Sequence, residues 1–555
     1  MTPAQNTSET VDFVCVGGGL GGLAAAVRAA HAGLSVVVLE KSAYVGGVAA
    51  YSGGSVWIPG NTLDALPGSP DADSRADAER YLSYVGGKEL SHDEALRAAY
   101  LERGPEAIDF YRTQAGLAFT RSALPEQYYP QAEGSTTGIR HIEVTIEGSG
   151  LGEWESRLRP GVYCDPRFTI TELVAARVAG IETSALLGSE EIARRDEVNF
   201  LARGQGLSGA FLQAALAAGA RIETDAPVTE LVIVDGAVTG VIATVAGVSR
   251  RITATRGVLL ATGSFGSAPW AASLEGLPEL FEQAPPILHG DGLRLAEQTP
   301  AAVVRAGSPF TTLGFRSSTV RHPGSDEPVY FPVLESMAKP HIITVNAKAR
   351  RFGDESFYGV FANAIGAFSG TTKAFDNWPA FAIMDDTFRR NGYDFGWAGA
   401  WPEADLVRAD SLADLAVELG LPAAELLDEV ERYNRAVDAG ADDLWGRGSL
   451  AVGRGYGDVT YPHPNLGRIE TAPFWGKRLH ILTSGILSHG LSIDAEARVL
   501  TRDRRPIPGL FATGNLVAHA ELPYGYENGF ANGRNITYAY VAASTAAGLG
   551  GTDAA

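Results

Sequence analysis

The sequence predicts an α/β fold with a parallel sheet at its centre and an α+β insertion in its second half. Three observations predict it. Residues Val11–Lys41 spell a β–turn–α–β unit. Apolar strands at Gly257–Ala261 and Ile507–Asn515 again end in glycine turns. From Gly307 to about Lys477 prolines and aromatics thicken and helix and strand patterns shorten, which marks a second domain.

The opening unit reads VDFVCVGGGLGGLAAAVRAAHAGLSVVVLEK. Val11–Val16 is an apolar run suited to a buried parallel strand. Gly17, Gly19 and Gly22, with Leu20 between them, form G-x-G-x-x-G. Leu23–Ala32 is alanine-rich and helical, and Gly33 stops it. Ser35–Leu39 is the second strand and ends in Glu40. Gly17 permits the tight turn, Gly19 lets backbone approach a pyrophosphate, and Gly22 lets helix and strand pack closely. The helix N-terminus offers free N–H groups to phosphates. Glu40 accepts from ribose hydroxyls, which argues for a dinucleotide without a 2′-phosphate. Lys41 and Ser42 follow it. Gly46, Gly47, Ser52, Gly53, Gly54 and Ser55 then supply flat backbone and hydroxyl donors for the same ligand.

The chain has 555 residues, of which 45% are hydrophobic and 20% charged, with a formal net charge of −20. This is ordinary for a globular protein, and the acidity disfavours nucleic acid and anionic membranes as partners. Cys15 and Cys164 are the two cysteines. They give neither a disulfide framework nor a metal-ligand spacing, so no metal is expected and a reducing cytoplasm fits. The polar start MTPAQNTSET carries no signal-peptide pattern, and no apolar run is long enough to span a membrane.

Further along, Asn61–Arg75 reads as a surface loop, Ser74–Val85 and Asp93–Gly116 as amphipathic helices, and Gln127–Arg157 as a polar, glycine-containing stretch. Thr169–Ala202 is largely helical, Gly206–Ala218 is a helix and Ala220–Thr224 a short strand. Val228–Val234 and Val238–Val245 form a hairpin through Asp235-Gly236. Arg250–Thr255 and Gly257–Ala261 are two further strands. Pro227, Val228, Ala261, Thr262 and Gly263 are assigned to the cofactor, because open α/β sheets bind ligands at strand ends. Ile342–Asn346 is a strand and Ala423–Ala439 a helix. Gly514, Asn515 and Asn532 join the cofactor set when the C-terminal segment returns to the first domain. The helix from Phe530 to Gly548 then aims its N-terminus at the cofactor.

VGGGLGGLAAAVRAA, LEKSAYVGG, YSGGSVWIP, LRPGV, ARGQGL, LLATGSFG, VNAKARRFGDES and IPGLFATGN together resemble the flavoproteins of the fumarate reductase and succinate dehydrogenase superfamily. Within it they are most similar to the 3-ketosteroid Δ1-dehydrogenases and related cyclic-ketone dehydrogenases. The resemblance implies a Rossmann-type FAD-binding domain in two segments, 1–306 and 479–555, with an inserted α+β catalytic domain at 307–478 and FAD held non-covalently. It implies α,β-dehydrogenation of a small hydrophobic cyclic ketone, first a 3-ketosteroid and alternatively a cyclohexanone, with an electron acceptor that the sequence does not name. Tyr358 matches the base and Tyr128 or Tyr129 the supporting tyrosine. Tyr524 and Gly529 match the ketone-holding pair, with Tyr526 the competing choice. The fumarate-reducing branch, which reduces an activated alkene, would draw on Arg316, Arg321, His341, His489 or Arg534, and His489 and His519 are further candidates for the cleft.

Overall fold

The computed structural model describes residues 8–64, 72–87, 93–124, 128–393 and 401–549. The extreme N-terminus, the middle of the loop expected at Asn61–Arg75 and the first residue of the stretch expected at Gln127–Arg157 lie outside them.

The main sheet grows from the opening strand, Ser8–Val16. On one side it pairs in parallel with Val36–Leu39, which pairs in parallel with Arg221–Glu223. On the other it pairs in parallel with Val248–Leu260, and that strand with Pro506–Ala512 from the far end of the chain. Arg498–Leu500 closes this edge antiparallel. The hairpin Val228–Val234/Ala237–Val245 attaches to the first half of Val248–Leu260 and turns on Asp235 and Gly236, both at positive φ. Val36–Leu39 is buried throughout, as a strand covered on both faces must be. The helices Leu20–His31 and Phe530–Ala546 pack on one another over the sheet, and Arg28 donates to the Ser544 hydroxyl at 2.9 Å.

The strands expected separately at Arg250–Thr255 and Gly257–Ala261 are one. Gly257 bends it with φ +132°, where a Cβ would stand 2.8 Å from the Phe511 ring. The helical stretch expected at Thr169–Ala202 is three helices, Ile170–Ala179, Thr183–Leu187 and Ser189–Glu197, interrupted by Gly180 and Gly188 at positive φ. The polar stretch at Gln127–Arg157 contains a wholly buried strand, His141–Val144. Its polar letters mislead because His141 and Glu143 are buried against partners: Ser55 on His141, and the Ile170 and Thr171 amides on Glu143.

Two smaller sheets make the middle of the chain. One has the order Phe281–Glu282, His480–Thr483, Thr311–Arg321, Pro328–Pro332. The other has Ile342–Asn346, Ala380–Asp385, Phe474–Arg478, Val407–Ala409, backed by the helices Leu412–Leu419 and Ala423–Ala439.

Candidate active site

The carboxyl ends of the parallel strands open into one cavity of about 470 Å³. Gly17 follows the opening strand, Glu40 the second, Ala261, Thr262 and Gly263 the third, and Gly514 and Asn515 the last, and all line it. Gly17 needs its φ of +108°, since a Cβ there would lie 2.5 Å from the Ala261 carbonyl oxygen. Gly19 caps the helix Leu20–His31 without a side-chain bond, so the amides of the first turn face the cavity beside Leu20 and Gly47. Glu40 is buried. Its Oε2 accepts the Gly18 N–H at 2.8 Å, and its Oε1 accepts the Ser42 N–H and O–H at 2.9 and 2.7 Å. These bonds fix a carboxylate at the cavity wall with acceptor capacity to spare. Lys41, Ser52, Pro227, Val228 and Asn532 complete the predicted lining.

The other predicted cofactor residues stand one layer back. Gly22 lies beneath the Gly17 carbonyl, where a Cβ would approach to 1.9 Å. Ser42 braces Glu40, and the Gly46 N–H donates to the Gly18 carbonyl at 2.8 Å. The Gly53 carbonyl accepts Arg203 Nε at 3.1 Å, the Gly54 N–H donates to Ser52 Oγ at 3.1 Å, and Ser55 Oγ pairs with His141 Nδ1 at 2.9 Å. Sequence reasoning missed the segment that closes the cavity opposite, with Ile287, Leu288, Asp291 and Arg294. Asp291 and the Ile287 carbonyl hold the Lys41 ammonium. The string His289-Gly290-Asp291-Gly292, which opens a short helix at Asp291, was the available signal.

At the far end of this cavity, Tyr526 is shared with a second, smaller one of about 30 Å³. Tyr128, Tyr129, Phe310, Gly359, Asn363 and Tyr524 are among its lining. Tyr358 stands behind Tyr128, with ring centroids 5.5 Å apart and the two hydroxyls hydrogen-bonded. Burial pushes both phenols well up. The bond between them then raises Tyr358 and lowers Tyr128. Burial also raises Tyr129 and Tyr526, and the Ala531 amide, donating to the Tyr526 hydroxyl, pulls that one partly back. Tyr524 is 45% exposed. Gly529 lines neither cavity: it caps the C-terminal helix at φ +79° and its carbonyl accepts the Trp57 N–H at 3.1 Å.

The string RRFGDESFY positions Tyr358. Glu355 is buried between Arg351 (2.8 Å) and Arg447 (2.9 Å), and these cations hold its carboxyl below the usual range despite burial. Asp354 Oδ1 accepts the Ser356 N–H at 2.9 Å, and the helix Tyr358–Ile365 starts two residues later. Arg316, Arg321, His341, His489, Arg534 and His519 line neither cavity. Arg534 is spent on Glu521 and two backbone carbonyls, His341 on the Arg468 carbonyl and Tyr461, and His489 on Glu275.

Two helix N-termini, at Leu20 and at Ala531, thus face one elongated space with a braced carboxylate between strand ends, which is the donor set that FAD requires. Among the residues lining that space there is neither histidine nor cysteine. No helix among the described residues is long and apolar enough to cross a membrane.

The chain is 31% identical to the 4-oxocyclohexanecarboxylate 2-dehydrogenase of Sinomonas cyclohexanicum, over 97% of this chain and 93% of that protein. It is 30% identical to the 3-oxosteroid 1-dehydrogenase of Mycobacterium tuberculosis, over 97% and 98%. Its fold superposes on the 3-ketosteroid Δ1-dehydrogenase of Sterolibacterium denitrificans, solved with 1,4-androstadiene-3,17-dione, with a TM-score of 0.83 at 27% identity, covering 97% of this chain and all of that one. The FAD binding domain model matches residues 12–525. With strand ends, helix termini and carboxylate in the places this family needs them, the chain belongs to the FAD-binding domain family and is an oxidoreductase that works with FAD.

Proposed function

We propose that the chain introduces a double bond next to the carbonyl of a cyclic ketone. The observation that carries this reading is Tyr526, which joins the large cavity to a cluster of tyrosines. FAD in the large cavity, held without a covalent bond, supplies the hydride acceptor. The Tyr128–Tyr358 couple takes the α-proton, Tyr128 facing the substrate and Tyr358 sharing the proton through their hydrogen bond. The Tyr526 hydroxyl accepts from the Ala531 amide, which orients its own proton towards the ketone oxygen. A donor so placed stabilises the developing enolate, a contribution worth about 3 kcal/mol. Phe310 and Tyr129 keep the space dry.

A 3-ketosteroid is the first substrate class. The small volume between Phe310 and Tyr526, whose rings lie 4.4 Å apart, favours a second: a single-ring cyclohexanone. Anaerobic bleaching of the flavin band by a 3-ketosteroid supports the first. Bleaching by 4-oxocyclohexanecarboxylate but not by steroids moves the assignment to the second. If neither ketone bleaches the flavin, and fumarate or acrylate reoxidises the reduced enzyme, the reading fails.

The same reading divides the chain near 306/307 and 478/479. The apolar cluster between Ile343 and Phe474 supports it, since it is separate from the cluster that joins Val11 to Ala546. Unpaired Cys15 and Cys164 support a reducing, cytoplasmic setting.

A further inference from the structure

Arg447 is 1% exposed and lines neither cavity. Its guanidinium is divided between one carboxylate and three carbonyls. Nη1 faces Glu355 Oε1 at 2.9 Å. Nη2 donates to the Met337 and Lys339 carbonyls at 2.9 and 2.7 Å, and Nε to the Asn465 carbonyl at 2.8 Å. Asn465, wholly buried, takes the carbonyl in between: its Nδ2 donates to Ala338 at 2.8 Å and to Gly453 at 2.7 Å. Beside Arg447, the Gly448 N–H donates to Ser356 Oγ at 3.0 Å, two residues before Tyr358. Ala338 and Tyr358 belong to one apolar cluster with Tyr128, Phe357, Val452 and Tyr456. The segments that Arg447 ties together therefore meet at the tyrosine couple. Ser336–Ala338 is a single turn, and the helix Tyr358–Ile365 begins only at Tyr358 itself, so no sheet ladder sets the distance between the two segments. A planar guanidinium does, because its N–H groups point in fixed directions and the buried carbonyls need donors.

We propose that Arg447 is a positioning residue for proton abstraction, holding the segments of Ala338 and Tyr358 at the separation that keeps the Tyr358 and Tyr128 hydroxyls bonded. This rests on the desaturation reading above. Arg447→Met strands the Glu355 charge and is the variant expected to lose the fold. Arg447→Lys keeps a cation near Glu355 and loses the fork on the carbonyls, so it separates position from charge.

The test is anaerobic flavin reduction in the Arg447→Lys holoenzyme, with the ketone that bleaches the wild type, unlabelled and deuterated at the α- or the β-carbon. The rate of reduction falls about 10²-fold while FAD content stays whole and the ketone concentration for half-maximal rate is unchanged. The α-deuterium isotope effect grows relative to the β-deuterium one, because the misplaced couple slows proton removal and leaves the hydride step alone. A wild-type rate, a loss confined to FAD content or ketone affinity, or an unchanged ratio of isotope effects overturns the proposal. Should no ketone bleach the wild type, the desaturation reading fails, and holoenzyme labelled with 3-fluorotyrosine still tests the positioning. The 19F resonances of Tyr128 and Tyr358, assigned through their Phe variants, shift in Arg447→Lys, while that of Tyr540 on the C-terminal helix stays in place. Unmoved Tyr128 and Tyr358 resonances, or a shift of all three, overturn it.

Discussion

The two cavities are built in opposite ways. The FAD cavity is made where strands stop: the parallel strands Ser8–Val16, Val36–Leu39, Val248–Leu260 and Pro506–Ala512 each contribute residues that follow their carboxyl ends, and backbone conformation carries the specificity. The tyrosine cavity is made where four remote segments meet, around Tyr128, Phe310, Gly359 and Tyr526, and side chains carry it. A strand end is constrained by its own neighbours in sequence. A meeting point of distant segments is constrained by every element between them. The cofactor end should therefore break by backbone crowding, and the substrate end by loss of single functional groups.

Gly22→Val gives the largest effect. Its Cβ would press to 1.9 Å from the Gly17 carbonyl oxygen, forcing the opening strand and helix apart. The expected outcome is no flavin-loaded protein, read from the absorbance of the purified fraction. A folded, yellow variant would show that the strand-end backbone is not what holds the cofactor. Tyr358→Phe and Tyr128→Phe come next. Each should lower the rate of flavin reduction by ketone by about 10²- to 10⁴-fold while FAD content stays whole. Unchanged reduction kinetics in either variant removes that tyrosine from the couple.

Glu282 sharpens the comparison at the joint between the regions, where it pairs in register with Thr483, next to the cavity residue Ser484. Burial pushes its carboxyl from the ordinary 4.5 up to about 8. Folding thus favours the protonated form, and that stability is lost as pH rises from 4.5 towards 8. Glu282→Gln should raise the melting temperature at pH 8 and leave it nearly unchanged at pH 4.5, and a gain of about 3 kcal/mol at pH 7 follows from the shift. An equal change at both pH values would mean that the carboxyl is not protonated in the folded state. Tyr524→Phe is the smallest. The side chain is 45% exposed at the rim, so kcat should stay within about twofold and only KM rise. A hundredfold loss would make Tyr524, rather than Tyr526, the ketone's donor.

The difference in construction also explains what could be read from the sequence. Gly17, Gly19, Glu40, Thr262 and Gly514 were legible because each sits at a fixed offset from a strand that announces itself by apolar letters. Tyr128, Tyr129 and Tyr526 were legible only through resemblance, and weighing Tyr524 against Tyr526 needed the structure, in which Tyr526 lines both cavities and Tyr524, 45% exposed, only the smaller. Asp291 stayed hidden because a short helix after a glycine turn leaves no periodic pattern. Arg447 and Asn465 were invisible for a different reason: buried polar side chains read, letter by letter, like surface.

The strand Pro506–Ala512 has a consequence for biosynthesis. It lies beside Val248–Leu260 and leads to Gly514, Asn515 and Asn532 on the cavity wall. During translation the amino-terminal strands can pair early, yet the edge of Val248–Leu260 stays unpaired until some 250 more residues have left the ribosome, as the register Val258↔Leu510 requires. Loading of FAD is then one of the last events of maturation. Free flavin in the cell would act as a late-stage folding partner, trapping the returned C-terminal segment by mass action.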